Sequence, residues 1–83
     1  MTHTVKMYTL STCSHCKAAK KFLEDCAVAH EFTDVDLLAA QERKSVLDEI
    51  RKYNPACSFP TILIGDTVII GFNESAIRRA LGL

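Results

Sequence analysis

The sequence predicts an α/β domain in the order βαβαββα, with a four-stranded mixed sheet flanked by three helices. Three observations carry that expectation. A strand-like alternation over residues 4–9 is followed by helical periodicity and then by a second alternating stretch. Two parallel strands joined by a right-handed crossover helix satisfy that order. Further on, the β-rich runs Pro60-Thr61-Ile62-Leu63-Ile64 and Thr67-Val68-Ile69-Ile70 flank Gly65-Asp66 and read as a hairpin. The chain has 83 residues, enough for one small core, so residues 1–83 are expected to form a single domain.

In the first strand Val5, Met7 and Thr9 share one face, and Lys6 and Tyr8 the other. Leu10-Ser11-Thr12 is a short loop, with Thr12 the expected N-cap beside Cys13. Helical periodicity covers Lys17 to Cys26. Cys16, Ala19, Leu23 and Cys26 recur three or four positions apart, with Phe22 alongside, as the apolar stripe of a helix on a sheet. Lys17, Lys20, Lys21 and Glu24 fall on the remaining, solvated surface. Glu31 to Asp36, with Phe32 and Val35 among charged residues, is the second strand. Ala39 to Tyr53 is the second helix, with Val46, Leu47 and Ile50 on its core face and its charged residues in solvent, and Asn54-Pro55 ends it. After the hairpin Gly71 breaks the pattern. Asn73 then caps a short last helix whose inner face holds Ala76, Ile77, Ala80 and Leu81. The chain contains no internal repeat, low-complexity segment or linker.

Composition excludes several functions. Ten basic and ten acidic residues cancel, which leaves no electrostatic footprint for nucleic acid or an anionic membrane surface. The longest apolar run is only a few residues, too short to span a bilayer. The start, Met1-Thr2-His3-Thr4-Val5-Lys6, has no basic segment followed by an apolar stretch, so a cytoplasmic location is expected. Of the four cysteines, Cys13 and Cys16 lie too close to close a stabilising loop. In a reducing compartment such a pair is catalytic or metal-binding rather than structural.

Cys13-Ser14-His15-Cys16 stands at a strand-to-helix junction, where unpaired backbone N–H groups and the helix dipole stabilise a thiolate. The periodicity turns Cys16 toward the core and leaves Cys13 at the exposed tip. That asymmetry suits an attacking thiol and a resolving one. A free thiol has a pKa of about 8.5, and His15 and Lys17 are cations placed to lower that of Cys13.

Three features together resemble the thioredoxin fold in its smallest form, the glutaredoxin family. They are Cys13-Ser14-His15-Cys16 after the first strand, Phe59-Pro60-Thr61 opening the third, and Gly71-Phe72 leading into the last helix. The resemblance covers essentially the whole chain. It implies a dithiol–disulfide oxidoreductase that reduces protein or glutathione mixed disulfides through Cys13 and Cys16. It also implies a monomer that requires no resident cofactor or metal, with glutathione as a possible co-substrate. Pro60 would be a cis proline facing the thiols, and the backbone of Phe59 would pair with an extended peptide or glutathione. Ser58, Gly71, Phe72, Asn73 and Glu74 would complete the binding surface.

Departures from the family pattern sharpen these expectations. Ser14 stands where proline usually follows the first cysteine. His15 is similar to strongly oxidising bacterial relatives of the fold, where a histidinium stabilises the reduced thiolate. A potential nearer ~−200 to −230 mV than thioredoxin's ~−270 mV is therefore expected. Leu10 stands where glutathione-binding members usually carry a basic residue. Ser58-Phe59 and Asn73-Glu74 replace a threonine-valine pair and an acidic pair. Gly71-Phe72 looks more like the NrdH-redoxins, which draw electrons from thioredoxin reductase, so that reductant is favoured over glutathione.

The remaining cysteines and histidines supply alternatives. Cys26 is expected to be a buried small hydrophobe. Cys57, three residues before Pro60, is either structural or a second redox thiol. His3 and His30 are expected to be solvated. A zinc site built from Cys13, Cys16 and Cys57 with His15 or His3 lacks a second Cys-x-x-Cys pair. An iron–sulfur cluster, [2Fe-2S], shared by two subunits through Cys13 is the stronger alternative, because Ser14 removes the proline that obstructs it in the family. Visible absorption and iron analysis of anaerobically purified protein separate the readings. A colourless, iron-free sample is the expected outcome.

Overall fold

The first strand, β1 (Val5–Thr9), is buried along nearly its whole length, with four of its five residues fully enclosed. Burial on both faces requires an interior position, and β1 lies between β2 (Glu31–Asp34) and β3 (Thr61–Ile64) in the sheet order β2-β1-β3-β4. In this computed structural model, which describes residues 4–83, β1 runs parallel to β2 and antiparallel to β3. Strand β4 (Thr67–Ile70) closes the hairpin and forms the second edge. The mixed sheet follows from chain economy: the parallel pair needs a crossover helix, whereas β3 and β4 need only the two-residue turn at Gly65-Asp66.

Helices α1 (Ser14–Asp25) and α3 (Glu74–Leu81) cover one face of the sheet, and α2 (Ala40–Tyr53) covers the other. On the first face Val5 and Met7 of β1 meet Ala19 and Leu23 of α1, Ile62 and Ile64 of β3, Ile69 of β4 and Ile77 of α3. The second face is a smaller cluster of Tyr8, Val35 and Ile50, against which Leu10, Val46, Leu47, Cys57, Phe59 and Leu63 pack. The period-two alternation of β1 distributes its side chains between the two layers. Both layers are therefore registered on one strand.

Three expected boundaries are corrected. The second strand ends at Asp34 instead of Asp36, and Val35–Leu37 form a 3-10 turn. That turn drops Val35 into the α2-side cluster at 2% exposure and swings Asp36 toward Ser11, which a continued strand could not do. Helix α1 begins at Ser14, one residue later than a Thr12 cap would place it, because Cys13 is the N-cap. At its other end Cys26 is the half-buried C-cap and not the last member of the buried stripe. The expected cap at Asn73 is present, its Oδ1 accepting the Ala76 N–H at 3.1 Å. His30 is partly buried, its Nδ1 donating to the Val28 carbonyl at 2.9 Å.

Ile50 is wholly enclosed at the centre of the smaller cluster. Ile50→Ala is expected to cost about 2–5 kcal/mol and to lower the urea midpoint accordingly. Leu37→Ala, at a residue 71% exposed, should stay within about 0.5 kcal/mol of the parent.

Candidate active site

The site begins where β1 runs into α1. Leu10 to Cys13 is a tight turn closed by the Cys13 N–H donating to the Leu10 carbonyl at 3.1 Å. Cys13 itself is extended (φ −83°, ψ 120°), and its Sγ accepts the Cys16 N–H at 3.3 Å. The nucleophilic sulfur thus occupies the place where a serine or aspartate oxygen would normally cap a helix. One of the orphan N–H groups of the first turn is spent on it.

This geometry divides the two thiols. The Cys16 side chain hydrogen-bonds Cys13 and does most to hold the Cys13 thiol below its ordinary pKa. Desolvation opposes this as the next largest influence, and the backbone N–H groups of Cys16 and His15 and, least, the charge of Lys20 lower it further. Cys16 moves the other way. Burial, at 0% exposure, and the neighbouring Cys13 push it up to about 11, with the Leu10 N–H at 3.5 Å from its Sγ and Lys20 offsetting part of the rise. Of the two thiols Cys13 is therefore the one that ionises first, while Cys16 keeps its proton at neutral pH. All four cysteines are unbridged.

The cations are placed differently from the sequence expectation. Thr12, Ser14, His15 and Lys17 are all exposed. His15 acts on Cys13 through its backbone N–H, and the side-chain cation whose field lowers Cys13 is Lys20. Lys20 is not on the solvated surface. Its Nζ pairs with Asp34 at 3.0 Å, and the two side chains are 18% and 17% exposed.

The loop before β3 carries other residues expected at the site. The Phe59–Pro60 bond is cis, as the resemblance implied. The Pro60 carbonyl accepts the Gly71 N–H at 2.8 Å, and Gly71 takes φ +81°, a left-handed conformation open to glycine. The loop before Pro60 hangs on Asn54, a residue sequence reasoning saw only as a helix terminator. Asn54 is 1% exposed, and its Nδ2 lies 3.0 Å from Ser58 Oγ, 3.1 Å from Thr61 Oγ1 and 3.2 Å from the Ser58 carbonyl. The Thr61 hydroxyl donates to that same carbonyl at 2.8 Å. Its only signal in the sequence is an amide-bearing residue where the helix stops. Leu10, Cys57 and Phe59 all lean on the α2-side cluster, which ties the thiol turn and this loop to one support. Cys57 has φ +53° and is half-buried there. On the outer side, the Ser11 N–H donates to Asp36 Oδ1 at 2.9 Å and its hydroxyl to Oδ2, contacts that hold the Asp36 carboxyl below its usual range.

Other residues expected at the binding surface have intramolecular partners. Phe72 packs on Phe22 edge to face, ring centroids 6.0 Å apart, within the α1–α3 layer. Asn73 Oδ1 caps α3, and Glu74 pairs with Arg78 at 3.3 Å. Among the described residues no group of three or more His, Cys, Asp and Glu side chains is arranged to hold a metal ion. Cys13, Cys16, Cys57 and His15 therefore do not assemble a zinc site, and His3 lies outside the described residues. Among them, too, no helix is long and apolar enough to cross a membrane.

Because the thiolate is the reactive form, a lowered Cys13 pKa moves the onset of its alkylation to lower pH. Cys16→Ala removes the largest contribution to that lowering. The alkylation midpoint of Cys13 should then move to higher pH, seen as roughly tenfold slower labelling on the acidic side of the profile.

A family model described as Glutaredoxin matches residues 5–69. The chain is similar to the crystal structure of Methanosarcina acetivorans methanoredoxin, with 42% identity, a TM-score of 0.92, and 96% of this chain and 85% of that one covered. It is similar also to the glutaredoxin from Methanosarcina mazei, with 43% identity and a TM-score of 0.89 over 96% of this chain and 79% of that one. A glutaredoxin of Neisseria meningitidis is 31% identical over 86% of this chain and 79% of its own length.

Proposed function

The chain belongs to the glutaredoxin family, and from that premise we propose that it reduces disulfides in proteins by dithiol exchange through Cys13 and Cys16. The observation that carries this reading is the opposed acidity of the two thiols across one helix turn. Thiol–disulfide exchange needs a thiolate to attack and a second thiol held in reserve.

The Cys13 thiolate attacks one sulfur of a substrate disulfide. A Cys13–substrate bond forms, the substrate S–S bond breaks, and the far sulfur departs as a thiolate that takes a proton from solvent. Cys16 then gives up its proton and attacks Cys13 Sγ. The second substrate thiol is released, and an intramolecular Cys13–Cys16 disulfide carries the two-electron oxidation. A Cys16 thiol that stays protonated does not compete with Cys13 for substrate. Phe59, preceding the cis Pro60 on the loop held by Asn54 and Gly71, is assigned the backbone pairing with an extended substrate segment.

Thioredoxin reductase is assigned as the electron donor, with glutathione as the competing source. Two features support the assignment. Leu10 offers no charge to a glutathione carboxylate, and the side chains of Ser58, Asn73 and Glu74 are engaged within the chain. His15, whose backbone N–H acts on Cys13, is assigned the redox bias, with a potential of about −200 to −230 mV. The protein works as a monomer in a reducing compartment, without a resident cofactor.

Turnover with thioredoxin reductase is compared with turnover on glutathione and its reductase, using one protein disulfide as substrate. Efficient reduction with the former and little with the latter is expected. Cys13→Ser should lose all activity, and Cys16→Ser should accumulate a mixed disulfide with the substrate. Undiminished turnover by Cys13→Ser would overturn the mechanism.

A further inference from the structure

We propose that Lys20 and Asp34 form a charge-compensated positioning pair that biases the charge on Cys13, with Lys20, one helix turn from Cys16, as the favouring pole and Asp34 as the charge that anchors and partly cancels it. The proposal rests on the exchange chemistry assigned to Cys13 and Cys16.

The placement follows from two periodicities. Lys20 lies four residues after Cys16 on α1, so its side chain leaves the same face of the helix one turn on. Asp34 is the register partner of Thr9 across the parallel pair β1–β2, which puts both side chains on the sheet face that α1 covers. The Lys20 Nζ is 3.0 Å from Asp34 Oδ1, and the Thr9 hydroxyl is 2.6 Å from the same oxygen. Thr9 is fully buried, and it immediately precedes Leu10, whose N–H approaches Cys16 Sγ at 3.5 Å. The Phe32 ring, with its centroid 3.9 Å from the ammonium, covers the pair from the edge strand.

Such a pair is more than a surface ion bridge. Both groups are over four-fifths removed from solvent, so their fields reach neighbouring groups with less screening than exposed charges suffer. The Lys20 charge favours the thiolate at Cys13 and at Cys16 alike. The pair as a whole is neutral, which limits that influence. Removing either charge leaves the other uncompensated, and the thiols should respond with opposite sign.

The test follows Cys13 alkylation by iodoacetamide against pH in the full chain, read by mass spectrometry at the Cys13 peptide so that Cys26 and Cys57 do not contribute. Asp34→Asn keeps a carbonyl to accept from Nζ while deleting the negative charge. It should lower the Cys13 midpoint by about half a unit, roughly threefold faster labelling on the acidic flank. Lys20→Met keeps the aliphatic stem over Phe32 and should raise the midpoint by a similar amount, whereas Lys20→Arg should restore the parent profile. If Lys20→Met does not fold, as judged by circular dichroism, Lys20→Gln takes its place in the same comparison. Shifts of opposite sign support the proposal. Shifts of the same sign, or no shift in either variant, overturn it, because a purely structural pair would alter stability without reversing the thiol response. A parent protein that reduces no disulfide would count against the assigned function alone, since the alkylation profiles are read without any substrate.

Discussion

The hydrogen bond from the Cys16 N–H to Cys13 Sγ, at 3.3 Å, belongs to the fold and to the chemistry at once. As a cap it satisfies one of the first N–H groups of α1 and fixes where the helix begins. As an electrostatic contact it directs a backbone dipole at the sulfur that must carry negative charge. Sulfur is a weaker acceptor than the oxygen of a serine or aspartate cap. The cap becomes stronger when the sulfur is ionised, so helix and thiolate stabilise each other. The reduced, ionised state is thereby favoured, which raises the reduction potential of the pair and keeps the attacking sulfur available as a thiolate.

Around that bond the molecule separates two jobs between the faces of one sheet. The larger cluster on the α1–α3 side seats α1 through Ala19 and Leu23, and on that helix Cys16 is fully buried. The smaller cluster on the α2 side supports both Leu10 of the thiol turn and Phe59 of the loop before β3. Because β1 contributes Met7 to one and Tyr8 to the other, the two clusters are indexed to the same strand. Asn54 adds the polar part of this support. It spends its amide on three oxygens of a loop that has few backbone partners of its own, and leaving such a group unpaired in the interior would cost about 1–3 kcal/mol.

The sequence by itself determined the order of elements, the hairpin, the cap at Asn73 and the burial of Cys16 relative to Cys13, which is half-buried rather than exposed. Each of these depends on local periodicity or turn chemistry, which a few neighbouring residues specify. It did not determine that the cap of α1 is Cys13 rather than Thr12, since both precede the same apolar stripe. That choice followed from the Leu10–Cys13 turn, fixed by contacts of Ser11 with Asp36 across 25 residues of chain. Nor did it place Lys20, which looks like any other lysine on a helix surface until the parallel register sets Asp34 beside Thr9. Asn54 and Phe72 were hidden for the same reason. Local pattern reports which way a side chain points along its own element. Only the packing of separate elements decides what it meets there, and so whether the charge near Cys13 is screened by water or held in place by another residue.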